Sequence, residues 1–223
     1  MKILAVQGSP HAMSGNTGKL LEPLIRSAEK AGALVTCLCL ADYRIEPCLA
    51  CDACHKTGRC SVADDFQDLK LTMQSADGLV LASPNYMWSV TAQMKALMDR
   101  CCGPMHCQVM DGKHAAAVVA SGGPGSQEVQ DYLLRFLRAM GFWTVGGVGA
   151  SAGEISDPSA SARCLQAAAD LGSRLAEAVR LNKTFPDQQA DRAAFVQRMK
   201  QLVAARQADW PYEYEYWQSH ARL

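Results

Sequence analysis

Five short apolar runs, each leading into a polar loop and then a helical pattern, constrain this chain more than any other feature. They fall at residues 3–6, 33–40, 78–82, 115–120 and 143–148. The runs at 78–82 and 115–120 are continuously apolar, as strands are when both faces of a sheet are covered. Between the runs, Leu20, Leu21, Leu24, Ile25 and Ala28 repeat at helical spacing, and so do Val129, Tyr132, Leu133, Phe136, Leu137 and Met140. Asn16 or Thr17 is placed to cap the first of these helices, and Gly32 and Gly141 stand where helices stop. Asp64 followed by Gln67 resembles a capping box. Asp157-Pro158 opens a helix through Leu165, Leu171, Leu175 and Val179. Strands alternating with helices predict an α/β fold, a doubly wound parallel sheet.

For five strands the expected topology is the flavodoxin-like order 2-1-3-4-5, with ligands at the carboxyl ends of the strands near the switch point. That unit accounts for residues 1–181. Residues 182–223 form a C-terminal helical extension, an amphipathic helix (Phe195, Met199, Leu202, Val203) and an aromatic-acidic tail, WPYEYEYW. Tyr and Trp in such a tail suit a subunit interface. At 49% hydrophobic and 20% charged, the 223 residues can bury a sizeable core. The 22 basic and 22 acidic residues argue against nucleic acid as a partner, which needs a basic excess. No apolar run is long enough for a transmembrane helix. MKILAVQGSP reads as a first strand and not a signal peptide. Ten cysteines are too sparse for a disulfide scaffold, so reduced thiols in a cytoplasm are expected.

The loop after the first run reads GSPHAMSGNTGK. Its backbone amides and the dipole of the following helix favour a phosphate dianion, and Ser9, Ser14, Asn16 and Thr17 add side-chain donors. The order is neither G-x-x-x-x-G-K-[ST] nor G-x-G-x-x-G, which disfavours a nucleoside-triphosphatase loop and a dinucleotide fingerprint. Taken alone, the loop is also explained as a polar connection that caps its helix. In a flavodoxin-like sheet it points to a monophosphate such as FMN. SPNYMW, after the third run, borders a flat ring: Pro84 and Asn85 shape a turn, and Tyr86, Met87 and Trp88 give stacking surface. In SGGPGS, after the fourth, Ser121, Gly122 and Gly123 let backbone approach a ligand closely.

Cys48, Cys51, Cys54 and Cys60 give C-x2-C-x2-C-x5-C. Thiolates at successive three-residue steps on a curling backbone reach the corners of one cubane, and a fourth cysteine closes the site, so one loop can serve a 4Fe-4S cluster. Structural zinc usually draws its cysteines from two separated knuckles, and a redox pair needs only one C-x-x-C. Cys101, Cys102, His106 and Cys107 form a second cluster that reads as packed or interface thiols; a second metal site is the alternative, without a recognised spacing. His11, His55, His114 and His220 form no triad with Ser or Asp.

GSPHAMSGNT, the four-cysteine run and SPNYMWSVTAQMKALMDR together resemble the iron-sulfur flavoproteins, which belong with the flavodoxin-like, NADPH-dependent FMN reductases. The resemblance covers residues 1 to about 180 on the size of one such unit. It implies FMN, one 4Fe-4S cluster per subunit, and a homodimer or homotetramer. By position, Ser9, His11, Ser14, Asn16 and Thr17 would hold the phosphate; Pro84, Asn85, Tyr86, Met87, Trp88, Ser121, Gly122 and Gly123 would frame the ring; and Cys48, Cys51, Cys54 and Cys60 would ligate iron. His11 departs from the arginine many relatives carry, and an imidazole neutralises phosphate less well than a guanidinium.

The implied activity is electron transfer between a one-electron donor, such as the small redox protein ferredoxin, and a two-electron acceptor. The cofactors carry the chemistry, and no side-chain acid or base is required. NAD(P)H is a second candidate donor, bound transiently. Two alternatives stand beside this reading: an NAD(P)H-dependent FMN or quinone reductase without a cluster, and a zinc-stabilised non-catalytic interaction module.

Overall fold

A computed structural model describes residues 1–220. Five strands, β1 (Lys2–Gln7), β2 (Leu34–Cys39), β3 (Gly78–Pro84), β4 (His114–Ser121) and β5 (Trp143–Ser151), form one sheet in the order β2-β1-β3-β4-β5. Every neighbouring pair is parallel, as expected for a doubly wound sheet. β4 is buried along its whole length. Its side chains alternate, Ala115, Ala117 and Val119 into one apolar layer and Ala116, Val118 and Ala120 into the other.

The first layer is filled by α3 (Phe66–Ser75), α4 (Ala92–Arg100) and α6 (Ser126–Ala139), through Phe66, Leu69, Met94, Leu97, Leu133 and Leu137. The second is filled by α1 (Asn16–Lys30) and α8 (Pro158–Leu181), through Leu20, Leu21, Leu24, Leu171 and Leu175. Truncating one of these leucines to alanine costs about 2–5 kcal/mol. α1 and α8 approach so closely that a Cβ on Gly172 would stand 2.2 Å from the Leu24 carbonyl oxygen. Asp157 caps α8, accepting from the Ala160 N–H, and Pro158 occupies its first turn.

Two caps differ from the sequence expectation. α1 is capped by Gly15, not Asn16 or Thr17, and its cap makes no side-chain hydrogen bond. Asp64 does not form a capping box with Gln67, since the cap of α3 is Asp65. The Asp64 carboxylate instead receives both outer guanidinium nitrogens of Arg100, at 2.7 and 3.0 Å, with both side chains buried.

Two short helices, α2 (Ala53–Thr57) and α5 (Cys102–His106), and a third, α7 (Ala152–Ser156), lie in loops around the sheet. The C-terminal extension is α9 (Pro186–Ala205) and α10 (Pro211–Ser219); the aromatic tail is thus itself helical. α9 is held on the edge strand, where Arg192 lies over the Trp143 ring at 4.0 Å and pairs with Asp111 at 2.6 Å. α10 buries Trp217 completely against Met199 and Val203 of the same chain. Among the described residues no helix is long and apolar enough to cross a membrane.

Candidate functional site

Three loops at the carboxyl ends of β1, β3 and β4 meet around a cavity of about 170 Å3. From the first loop it is lined by Ser9, His11, Gly15, Asn16 and Thr17; from the second by Pro84, Asn85 and Tyr86; and from the third by Ala120, Ser121 and Gly122. The parallel sheet creates this convergence, since all its strands end on one side.

The first loop is pressed onto its neighbours by contacts only glycine allows. A Cβ on Gly8 would stand 2.9 Å from Thr91 Oγ1, and one on Gly18 would stand 2.3 Å from the Met13 carbonyl oxygen. Thr91 ties the first two loops together: its hydroxyl donates to the Gly8 carbonyl at 2.8 Å and its N–H donates to Ser83 Oγ at 3.1 Å. Ser9 is buried and accepts from the His11 N–H at 3.2 Å. Because no side chain caps α1, the free amides of its first turn face the cavity residues Gly15, Asn16 and Thr17, where a phosphate would be received.

In the second loop, Tyr86 and Ser89 exchange backbone hydrogen bonds of 2.8 and 3.0 Å around Met87 and Trp88. Both central residues have positive φ, 49° and 62°, as in a type I′ hairpin turn, although neither is the Asn or Gly such a turn prefers. The turn leaves Met87 93% exposed and Trp88 65% exposed. Asn85 is fixed from both sides: its N–H donates to the Ala120 carbonyl at 2.7 Å and its Nδ2 to the Pro124 carbonyl at 3.4 Å. Its Oδ1 is buried with no partner. A buried acceptor left open beside the cavity is what a ring N–H would satisfy. The uncapped helix and this acceptor fit the phosphate and ring of FMN respectively.

Of the thirteen residues assigned to this ligand from sequence, nine line the cavity. Ser14, Met87, Trp88 and Gly123 do not. Ser14 turns its hydroxyl onto the His11 carbonyl at 2.7 Å. Trp88 lies against Gly125, where a Cβ would stand 2.8 Å from its ring. Gly123 borders a neighbouring depression with Ser151 and Glu154. The sequence reading missed Gly15 and Ala120; for Gly15 the signal was its place just before the helix.

The four-cysteine run lies between β2 and α3, and Cys60 packs against the first apolar layer. Ala50 (φ 50°), Asp52 (φ 58°) and Gly58 (φ 73°) curl its backbone. Cys54 and Cys60 line a cavity together with Lys70, Arg100, Cys107 and Tyr212. Cys48 and Cys51 are exposed, and Cys51 Sγ stands 3.0 Å from Ser61 Oγ, a contact that lowers its pKa. The four sulfurs do not contract to the spacing of a single ion. A four-iron cubane carries its irons at separate corners, so its thiolates are spread around a larger body.

Lys70 and the Arg100–Asp64 ion pair border the cavity that Cys54 and Cys60 line. Lys70 is buried and donates to the Gly58 carbonyl at 3.0 Å, and burial pushes its pKa down. Arg100 is buried too, and its Nε has no oxygen or nitrogen partner. Burial works against the Asp64 carboxylate, but hydrogen bonds from Arg100 and from the Glu46 and Phe66 N–H groups hold its pKa below the usual range. Cys54 and Cys60 stand beside Lys70 and Arg100, while Cys48 and Cys51 are exposed, so the structure brings two of the four thiols to one cavity; their soft sulfurs on a curled backbone fit iron-sulfur ligation.

The chain matches the family model of NADPH-dependent FMN reductases over residues 1–157. It is 35% identical over 182 residues to an iron-sulfur flavoprotein of Archaeoglobus fulgidus, covering 80% of each chain. It is 30% identical over 197 residues to an iron-sulfur flavoprotein of Methanocaldococcus jannaschii, covering 82% of this chain and all of that one. Among solved structures, an NAD(P)H:quinone oxidoreductase from Methanothermobacter marburgensis superposes with a TM-score of 0.64 at 16% identity, over 78% of this chain and 96% of that one. At that identity the likeness concerns the fold.

Proposed function

The chain belongs to the NADPH-dependent FMN reductase family, among its iron-sulfur flavoproteins, and from that premise we propose that it is a flavin-dependent oxidoreductase coupling one-electron to two-electron transfer. When bound, FMN supplies one- or two-electron redox chemistry and a 4Fe-4S cluster supplies single-electron transfer. The observation that carries this reading is the convergence of three strand-end loops on one cavity that pairs an uncapped helix terminus with an open buried acceptor.

This chain's residues bind and orient. The first-turn amides of α1, with Ser9, Asn16 and Thr17, receive the phosphate, and His11 stands at its rim. Asn85 receives a ring N–H, while Pro84, Tyr86, Ser121 and Gly122 border the ring. Cys48, Cys51, Cys54 and Cys60 hold iron, and Lys70 stands beside Cys54 and Cys60. Family membership supports a nicotinamide donor; a ferredoxin-like donor and a homodimeric or homotetrameric assembly are part of the proposal.

The test is flavin titration followed by NADPH under anaerobic conditions. FMN fluorescence should be quenched on binding, and NADPH should bleach the bound flavin. Bleaching by a protein that takes up no iron would favour the cluster-free reductase. Failure to bind FMN would remove the proposal altogether.

A further inference from the structure

Adjoining the four-cysteine run, three side chains that the iron ligation does not use bring soft ligand atoms together. The ligand atoms of His55 on α2 and of Cys102 and His106 on α5 all lie within 4.8 Å of one another. Cys102 and His106 are one helical turn apart, and Cys102 Sγ stands 3.6 Å from His106 Nε2. With a Zn–S bond of about 2.3 Å and a Zn–N bond of about 2.1 Å, tetrahedral geometry puts such a pair about 3.6 Å apart.

The surroundings fix the same geometry. Glu213 on α10 is fully buried, and it takes one imidazole on each oxygen: His55 Nδ1 at 2.5 Å and His106 Nδ1 at 3.0 Å. Both Nδ1 atoms are thereby committed, leaving Nε2 of each ring as the ligand atom. A carboxylate behind a ligating histidine is the usual outer-shell partner of a metal site; it sets the tautomer and raises ligand basicity. The two imidazoles stack at 4.9 Å and 19°, and Trp210 covers both, at 4.5 and 5.1 Å. Trp217 Nε1 donates to the His106 carbonyl at 2.9 Å, pinning that turn.

We propose that His55, Cys102 and His106 bind a divalent metal ion of the zinc class, separate from the iron held by the four-cysteine run. One thiolate and two imidazoles suit zinc and not magnesium or calcium, which prefer oxygen. Three protein ligands leave a fourth corner for water or for Asp52, whose carboxylate lies 3.8 Å from His55 Nε2. The ion joins the cysteine loop to α5 and, through Glu213, clamps the C-terminal helix over both. The aromatic tail thereby acts as a cover on the cysteine loop. Tyr212 of the same helix closes onto Gly58, where a Cβ would stand 2.4 Å from its ring.

The experiment is elemental analysis of the intact protein, purified anaerobically and dialysed against zinc, with X-ray absorption at the zinc edge. The expected result is one zinc per chain, ligated by one sulfur and two imidazole nitrogens. Cys102→Ala and His106→Ala should each lose it. Glu213→Gln should weaken zinc binding by about 10–100-fold. Cys48→Ser should lose iron and keep zinc, which separates this site from the cluster. Absence of zinc, or zinc in an all-sulfur shell, overturns the proposal, as does zinc held undiminished by both folded alanine variants. The ligand shell is read on the unmodified protein, so the result stands even where a substitution prevents folding.

Discussion

The strand-end cavity proposed for flavin and the cysteine loop are assembled by different means. The cavity is made by topology: parallel strands end together, and the groups they present are helix-end amides, glycines and short polar side chains. The cysteine region is made by long-range pairing. Asp64 reaches Arg100, Lys70 reaches Gly58, and Glu213 reaches back to His55 and His106. The first site therefore depends on backbone placement and the second on buried charge. Changes at the two should fail in different ways.

The largest effect is expected at the buried ion pair. Arg100→Met strands the Asp64 carboxylate and should lower stability by about 3–5 kcal/mol, read from urea denaturation. The same pair gives an acid dependence. Asp64 has a depressed pKa in the folded chain, so its contribution is complete above about pH 3.9 and is lost as pH falls further through the folded value. Urea midpoints should drop on acidification in the native chain and drop less in Asp64→Asn.

Gly18→Ala tests the other site. The new Cβ meets Met13 backbone, which cannot yield as a side-chain end would. A stability loss of about 1–3 kcal/mol is expected, with weakened FMN binding and unchanged iron uptake. A loss of iron with flavin binding intact would break the distinction between the two regions.

Asn85→Ala should cost FMN affinity about tenfold, the worth of one hydrogen bond of about 1–1.5 kcal/mol, in a fluorescence titration. The smallest effect is expected at the exposed turn. Met87→Asn places a residue tolerant of positive φ there and should raise stability by up to about 1 kcal/mol, leaving flavin affinity unchanged.

Legibility in the sequence follows the same division. The five strands and the three loops were readable because periodicity and punctuation are local signals, and the strand order followed from the topology five such units usually adopt. The Met87–Trp88 turn was not, because its residues are the wrong chemistry for its shape. Asp64 read as a cap because sequence shows its neighbour Gln67 and not its partner Arg100, 36 positions away. His55 and Glu213 looked unconnected for the same reason, being 158 positions apart. The tail was recognisable as aromatic, but its helix and its seat on α2 depend on contacts that no local pattern encodes.

The most direct measurement is the flavin and iron content of the anaerobically purified chain, with its visible spectrum. The expected result is FMN bound at one per chain, about four irons per chain and broad absorption near 400 nm. Flavin with no iron after anaerobic reconstitution would contradict the coupling of the two sites and leave a simple reductase.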